Sequence, residues 1–226
     1  TSIYGQKGFH FACESGHVTI VELLIKNSVE FNIDLKNDDG KTGFHYACSN
    51  GQVKIVELLI KNSVIFNIDV NAKDMYGKTG YHLACENSQV RIVELLIENS
   101  VEFNIDLNAK VNGLTGYYSC GSGHVNIVEL LIKKSVEFNI DLITKDDSYG
   151  NTGFHYACMS GKVKLVELLI KNSVELNLNL NAKNGKGETG YHIACSYDQV
   201  KIVGLLIKNS KEFNIVIDRL SSCLLI

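Results

Sequence analysis

Five times along this 226-residue chain a histidine stands three residues ahead of a cysteine: His10 and Cys13, His45 and Cys48, His82 and Cys85, His155 and Cys158, His192 and Cys195. Residues i and i+3 share one face of a helix, and imidazole and thiolate are good zinc ligands. The spacing could therefore carry a metal site copied along the chain. Two observations weigh against it. A structural zinc takes four ligands at one point, each copy offers two, and neighbouring copies in a helical stack sit about 10 Å apart. In a further copy, "TGYYSCGSGH" at 115–124, the stretch is one residue short and its histidine is gone. A metal array would be broken there, whereas a packing contact can be missed once. The pairs are expected to be structural, the buried cysteine acting as a small hydrophobe. His17 and His124, each following a glycine, read as turn residues by the same logic.

No Ser–His–Asp set, phosphate loop or convergent carboxylate pair stands beside them. No catalytic residue, cofactor or metal is expected, and the chain does not read as an enzyme. Its net charge of −3 is spread over interspersed charges of both signs. That gives no clustered basic surface for nucleic acid. No apolar run approaches the roughly 18 residues that cross a bilayer. Seven cysteines, six of them in repeated slots, fit a reducing compartment, the cytoplasm, better than a disulfide frame. The chain opens on Thr1 with no leader-like run, the pattern of a fragment or a processed chain. It contains no proline, so its turns fall to Gly, Asn and Asp.

The elements that position the pairs repeat with them. The glycines Gly5, Gly40, Gly77, Gly113, Gly150 and Gly187 are 35, 37, 36, 37 and 37 residues apart. A fixed period in this range means supersecondary units that bury their apolar faces only by stacking. Within "GKTGFHYACSNGQVKIVELLIKNS" (40–63), Thr42 suits an N-cap, and Phe44, Ala47 and Cys48 lie on one helical face. Gly51 breaks that helix. Val53, Ile55, Val56, Leu58, Leu59 and Ile60 then give a second, broadly apolar helix. The expected fold is all-α, a single solenoid with repeats near 1–37, 38–74, 75–110, 111–147, 148–184 and 185–217.

These motifs resemble the ankyrin repeat, whose signature includes T-P-L-H-x-A and a period of 33. The resemblance covers nearly the whole chain. It implies two antiparallel helices per repeat, a β-turn finger standing roughly at right angles, and a histidine that staples a repeat to its neighbour. Two departures stand out. The proline of T-P-L-H is replaced by glycine, at a cost of about 0.4–1 kcal/mol per repeat through the unfolded chain. In addition, about four residues are inserted after the second helix, as in "NSVEFNIDLNAK" at 99–110. The second helix is expected to run on by a turn, burying Val29, Phe31 and their counterparts, although the alternation also fits an extended strand.

Ankyrin-like proteins bind partners through the finger tips and the exposed side of the first helix, lining a concave groove. Residue by residue, the resemblance places that role on Tyr4, Gln6, Lys41, Met75, Tyr76, Lys78, Glu86, Leu114, Tyr149, Asn151, Met159, Glu188 and Tyr197. Both methionines and four of the ten tyrosines fall in these slots. Tyr and Met are enriched in interface cores, which points to a protein or peptide partner bound by a monomer. The alternative is a structural spacer or assembly arm, favoured by the near-identity of the repeats. Charges on the second helices, such as Lys26, Lys61 and Lys171, read as a solvated convex face. The final Cys223-Leu-Leu-Ile fits a prenylation pattern, but a C-terminal cap over residues 218–226 is the favoured reading.

Overall fold

The computed structural model describes residues 7–27, 36–113, 115 and 123–217. The described residues form eleven helices: α1 (Gly8–Ser15), α2 (Val18–Lys26), α3 (Gly43–Ser49), α4 (Val53–Lys61), α5 (Gly80–Glu86), α6 (Val90–Glu98), α7 (Val125–Ser135), α8 (Gly153–Met159), α9 (Val163–Lys171), α10 (Gly190–Ser196) and α11 (Val200–Asn209). Among them an isolated β bridge pairs Lys145 with Thr152. The chain packs as two compact units, Thr1–Val111 and Asn112–Ile226.

Both units are built the same way. A short first helix and a longer second helix form an antiparallel pair, joined by a turn whose left-handed residue is glycine in three pairs (Gly16, Gly51, Gly161) and Ser88 or Asp198 in two others. First helices pack on first helices (α1 on α3, α3 on α5; α8 on α10), and second helices on second helices (α2 on α4, α4 on α6; α7 on α9, α9 on α11). The core therefore runs between the two layers. Ile55, Val56, Leu59 and Ile60 are buried on α4, as are Ile92, Val93, Leu96 and Ile97 on α6. The polar stripe stays outside: Lys26, Lys61, Glu98, Lys133, Lys171 and Lys208 are exposed. Lys134 is the exception, half-buried over the Phe138 ring at 5.3 Å and paired with Glu137.

The connection after the second helix differs from expectation. Val29 and Phe31 lie outside the described residues, but their counterparts are clear. An extra helical turn forms, with Phe66 N–H donating to the Asn62 carbonyl at 3.0 Å and Phe103 N–H to Asn99 at 3.1 Å. It closes at Asn67, whose φ of 51° is left-handed, and Ile68 N–H reaches back to the Ser63 carbonyl at 2.8 Å. This is a Schellman-type stop with asparagine in the glycine role. Asn104, Asn139, Asn177 and Asn214 repeat it. The turn does not bury the valines: Val64, Val101, Val136 and Val174 are at least 79% exposed, and Phe66, Phe103 and Phe138 are only half-buried. Burial falls instead on Ile68 and Val70, Ile105 and Leu107, Ile140 and Leu142. The left-handed asparagine turns the chain into an extended run, in which alternate residues face the stack.

Candidate functional site

Each described histidine of the repeated motif sits at the third position of its first helix, where it completes a reciprocal capping box with the residue before the helix, a threonine for His45, His82, His155 and His192 and Lys7 for His10. Thr42 N–H donates to His45 Nδ1 at 3.0 Å, and the Thr42 hydroxyl lies 2.8 Å from the same nitrogen. His45 Nε2 lies 3.0 Å from the carbonyl oxygen of Lys78, in the next finger. A carbonyl only accepts, so Nε2 carries the proton and Nδ1 receives the threonine's donors. His155 repeats the arrangement, with Thr152 at 3.0 Å and the Glu188 carbonyl at 3.0 Å. Both ring nitrogens are thus spent on the fold. Burial holds the His45 and His155 imidazoles below their usual 6.5, against the raising effect of the accepted carbonyl bonds.

The cysteine and the glycine of the motif form the other half of the joint. A Cβ on Gly43 would stand 2.5 Å from the Phe9 ring and 2.8 Å from Cys13 Sγ, both from the preceding repeat. Gly80 meets Phe44 and Cys48, and Gly190 meets Phe154 and Cys158, in the same way. Glycine therefore replaces proline because an aromatic ring and a thiol occupy the space that any side chain at this position would need. Burial pushes the Cys13 thiol up to about 12 and raises Cys158 as well. Cys48 is raised by burial first, then by Cys85 and Cys13 beside it. A zinc-bound cysteine is a thiolate, and this environment opposes thiolate formation. Among the described residues no group of three or more His, Cys, Asp or Glu side chains could hold a metal.

The described members of the predicted set lie on the fingers and at the ends of the first helices. Four fingers are each organised by one buried Asn or Asp: Asn37, Asp74, Asp146 or Asn184. Asp74 N–H donates to the Lys78 carbonyl at 2.9 Å, while Asp74 Oδ1 accepts from the amides of Tyr76 (2.9 Å) and Lys78 (2.8 Å). Asp146 accepts from the amides of Ser148 and Asn151 and from the Tyr156 hydroxyl at 2.8 Å. Burial of Asp146 works to raise its pKa, but the amides of Tyr149 and Asn151 and the Tyr156 phenol outweigh it and hold the carboxyl below 3.8. Neighbouring fingers are tied backbone to backbone: Met75 N–H to Asp39 O (2.8 Å) in the first unit, Asp147 N–H to Asn112 O (3.0 Å) and Gly185 N–H to Tyr149 O (2.7 Å) in the second.

Of the thirteen predicted residues, Tyr4, Gln6 and Leu114 lie outside the described residues. In the first unit Met75 and Tyr76 project from one tip, 62% and 64% exposed. Lys78 and Glu86, at the base of that finger and the end of α5, form an ion pair at 2.7 Å, and Lys41 is half-buried beside them in sequence register. In the second unit Tyr149 and Tyr197 are exposed and Met159, the last residue of α8, is half-buried. Asn151 does not face outward. It is 4% exposed, its Oδ1 accepting from Asn184 Nδ2 at 3.0 Å. Glu188 shares that network through Oε2, 3.0 Å from the same nitrogen. Asn151 is drawn in by the hydrogen bond it accepts from buried Asn184 in the following repeat.

Several positioning residues escaped the motif reading. Gln52 Nε2 reaches the Glu14 carbonyl of the preceding first helix at 2.9 Å, and Gln89 reaches Ser49 at 3.2 Å. Asn71 bridges to the next connection through Asn104 O (2.7 Å) and Asp106 N–H (2.9 Å). Asn181 does the same to Asn214 and Val216. The signal for all of them was the recurrence of an amide side chain at a fixed place in the period.

Comparison with known proteins agrees with this architecture. The ankyrin-repeat family pattern matches three times, at residues 9–111, 65–141 and 119–218. The fold is similar to the ankyrin repeat domain of Bcl-3, a member of the IkappaB family, with a TM-score of 0.76, 23% identity, and 91% of this chain and 86% of that chain covered. It is also similar to a chain in the complex of the predatory endopeptidase Bd0816 from Bdellovibrio bacteriovorus with the immunity protein Bd3460. There the TM-score is 0.69 and the identity 19%, with 90% of this chain and 98% of that chain covered. No curated protein sequence matches. With interlocking helix pairs, stapling histidines and finger turns all in register with that pattern, the chain belongs to the ankyrin repeat family.

Proposed function

We propose that this chain is a non-catalytic interaction scaffold. It binds a protein or peptide partner through its finger tips and the exposed ends of its first helices. The observation that carries this is the placement of large apolar side chains on rigid tips. Met75, Tyr76, Tyr149 and Tyr197 are 53–64% exposed, while the backbone amides of the three finger residues among them, Met75, Tyr76 and Tyr149, are all hydrogen-bonded. Such side chains add nothing to the stack, and held on preformed turns they offer contact area at low entropic cost. Exposed Asp38 lies one finger away from Met75 and Tyr76, so the first unit's surface mixes apolar and acidic character. The structural neighbour from the endopeptidase–immunity protein complex supports the reading, because that chain belongs to a protein–protein assembly.

The buried free thiols suit a reducing compartment, the cytoplasm, and no described helix is long and apolar enough to cross a membrane. A dilute single copy suffices for this role. The test replaces Tyr76 and Tyr149 with serine and compares partners captured from the native source by the wild type and the double variant. Loss of the wild-type partners, with an unchanged melting temperature, is the expected result. An unchanged set of partners would remove the tips from the account.

A further inference from the structure

Away from the tips, two exceptions to the repeat pattern fall side by side in the first unit. The residue after the first of the extra turn's apolar slots is glutamate in five copies (Glu30, Glu102, Glu137, Glu175 and Glu212) but Ile65 in the second. The residue that follows the L-L-I of the second helix is lysine in five copies (Lys26, Lys61, Lys133, Lys171 and Lys208) but Glu98 in the third. These two copies are neighbours, with α4 packed on α6. The extra turn carries each helix on, so Lys61 and Ile65 stand one turn apart in one repeat, and Glu98 and Glu102 one turn apart in the next.

Neither exception serves the stack. Ile65 is 73% exposed beside Val64, and Val101 in the adjoining turn is 84% exposed. Glu98 and Glu102 are exposed, and like charges one turn apart repel. Neither has an ion-pair partner among the described residues. In the fifth copy the same two places hold Lys171 and Glu175, whose charges offset each other. Residues 90–107 as a whole carry one cation, Arg91, already paired with Glu94, against the carboxylates of Glu94, Glu98, Glu102 and Asp106. Between the two helices runs a groove of about 180 Å³, lined by Glu57, Ile60, Lys61, Leu95 and Asn99. The extra turns follow directly from Lys61 and Asn99, which sets their exposed apolar side chains at the end of that groove.

We infer that this groove and its apolar end form a second docking surface, and that its occupant is a basic amphipathic helix of a protein partner. The apolar face of that helix covers Val64, Ile65 and Val101, and its lysines or arginines meet Glu98 and Glu102. Charge complementarity selects the occupant, because the carboxylates gathered here lack cations of their own. The shape agrees, since a trough between two packed helices takes a third helix by its apolar anchors. A lipid surface suits the place poorly, as anionic headgroups repel an acidic rim. The surface lies in the layer of second helices, away from the fingers, so the inference goes beyond the tip reading and stands without it.

The test measures binding of a labelled leucine–lysine amphipathic helix of about 18 residues, five turns long, to the full chain by fluorescence anisotropy. The wild type is expected to bind it, and not to bind the same peptide with glutamate in place of lysine. Ile65→Glu and Glu98→Lys install residues that other copies already hold in these exposed slots, so both leave the melting temperature unchanged. Ile65→Glu is expected to weaken binding about tenfold, the cost of one apolar side chain taken out of the contact, even though it adds a negative charge. Glu98→Lys is expected to weaken it about fivefold at low salt and less at high salt. Tyr76→Ser leaves the affinity unchanged, which separates this surface from the tips. Plain electrostatic attraction would instead make Ile65→Glu bind more tightly. That result would overturn the inference, as would a wild type that does not bind or a Glu98→Lys variant that binds equally well at low salt. Binding to anionic vesicles, or self-association on raising the concentration, that Ile65→Glu abolishes would assign the surface to a membrane or a second copy and overturn it too.

Discussion

At the scale of the residue, the repeated histidine is an acceptor, a donor and a cap in a single ring. Replacing His155 with alanine leaves the Thr152 amide and the Glu188 carbonyl without their partner. Buried groups stripped in this way cost roughly 1–3 kcal/mol each, so His155→Ala should lower unfolding stability by about 3 kcal/mol, read by urea titration. Protonation attacks the same bonds. In the unfolded chain these imidazoles take up protons near 6.5, whereas burial delays protonation of His45 and His155 to lower pH in the folded protein. Between those limits the unfolded state binds more protons, so stability is complete above 6.5 and declines as pH falls below it. Melting at pH 7.5 and pH 5 should show the drop, and His155→Ala should show a smaller one. That histidine and cysteine were filler was legible from the sequence, because one repeat dispenses with the histidine. That it staples one repeat to the next followed from the family resemblance, but the partner atom did not, because it is a backbone carbonyl 33 residues away.

At the scale of the element, the glycine and the cysteine must be read together. Taken alone, Gly43 is a weakened helix start. Against Phe9 and Cys13 it is a seat. Gly43→Ala gains about 0.5–1 kcal/mol of helix propensity but overpacks the joint, at a cost of roughly 1–3 kcal/mol. Net destabilisation is expected, measured by thermal unfolding, whereas Gly8→Ala, with open space around it, should be neutral or stabilising. The helix pairs and their turns were legible because their apolar stripe is continuous. The connection was not. V-x-F-x-I-x-L satisfies both helical and strand spacing, and the decision rests on Asn67 and its counterparts, whose left-handed conformation ends the extra turn and hands burial to Ile68 and Val70.

At the scale of the whole molecule, near-identical repeats make near-identical joints, and the differences between repeats collect at the tips. That is why binding residues could be proposed from sequence by comparing each repeat with its siblings, and why Asn151 was misplaced. It occupies the same slot as Lys41 and Lys78 but is turned inward by Asn184, a residue of the following repeat. The account rests on the His–Cys motifs being joints between repeats and not ligands. Thermal unfolding of the chain before and after exhaustive treatment with a strong chelator tests this most directly. The joints predict the same melting temperature in both samples and no gain on adding zinc; a melting temperature that falls with chelator and returns with zinc would contradict them.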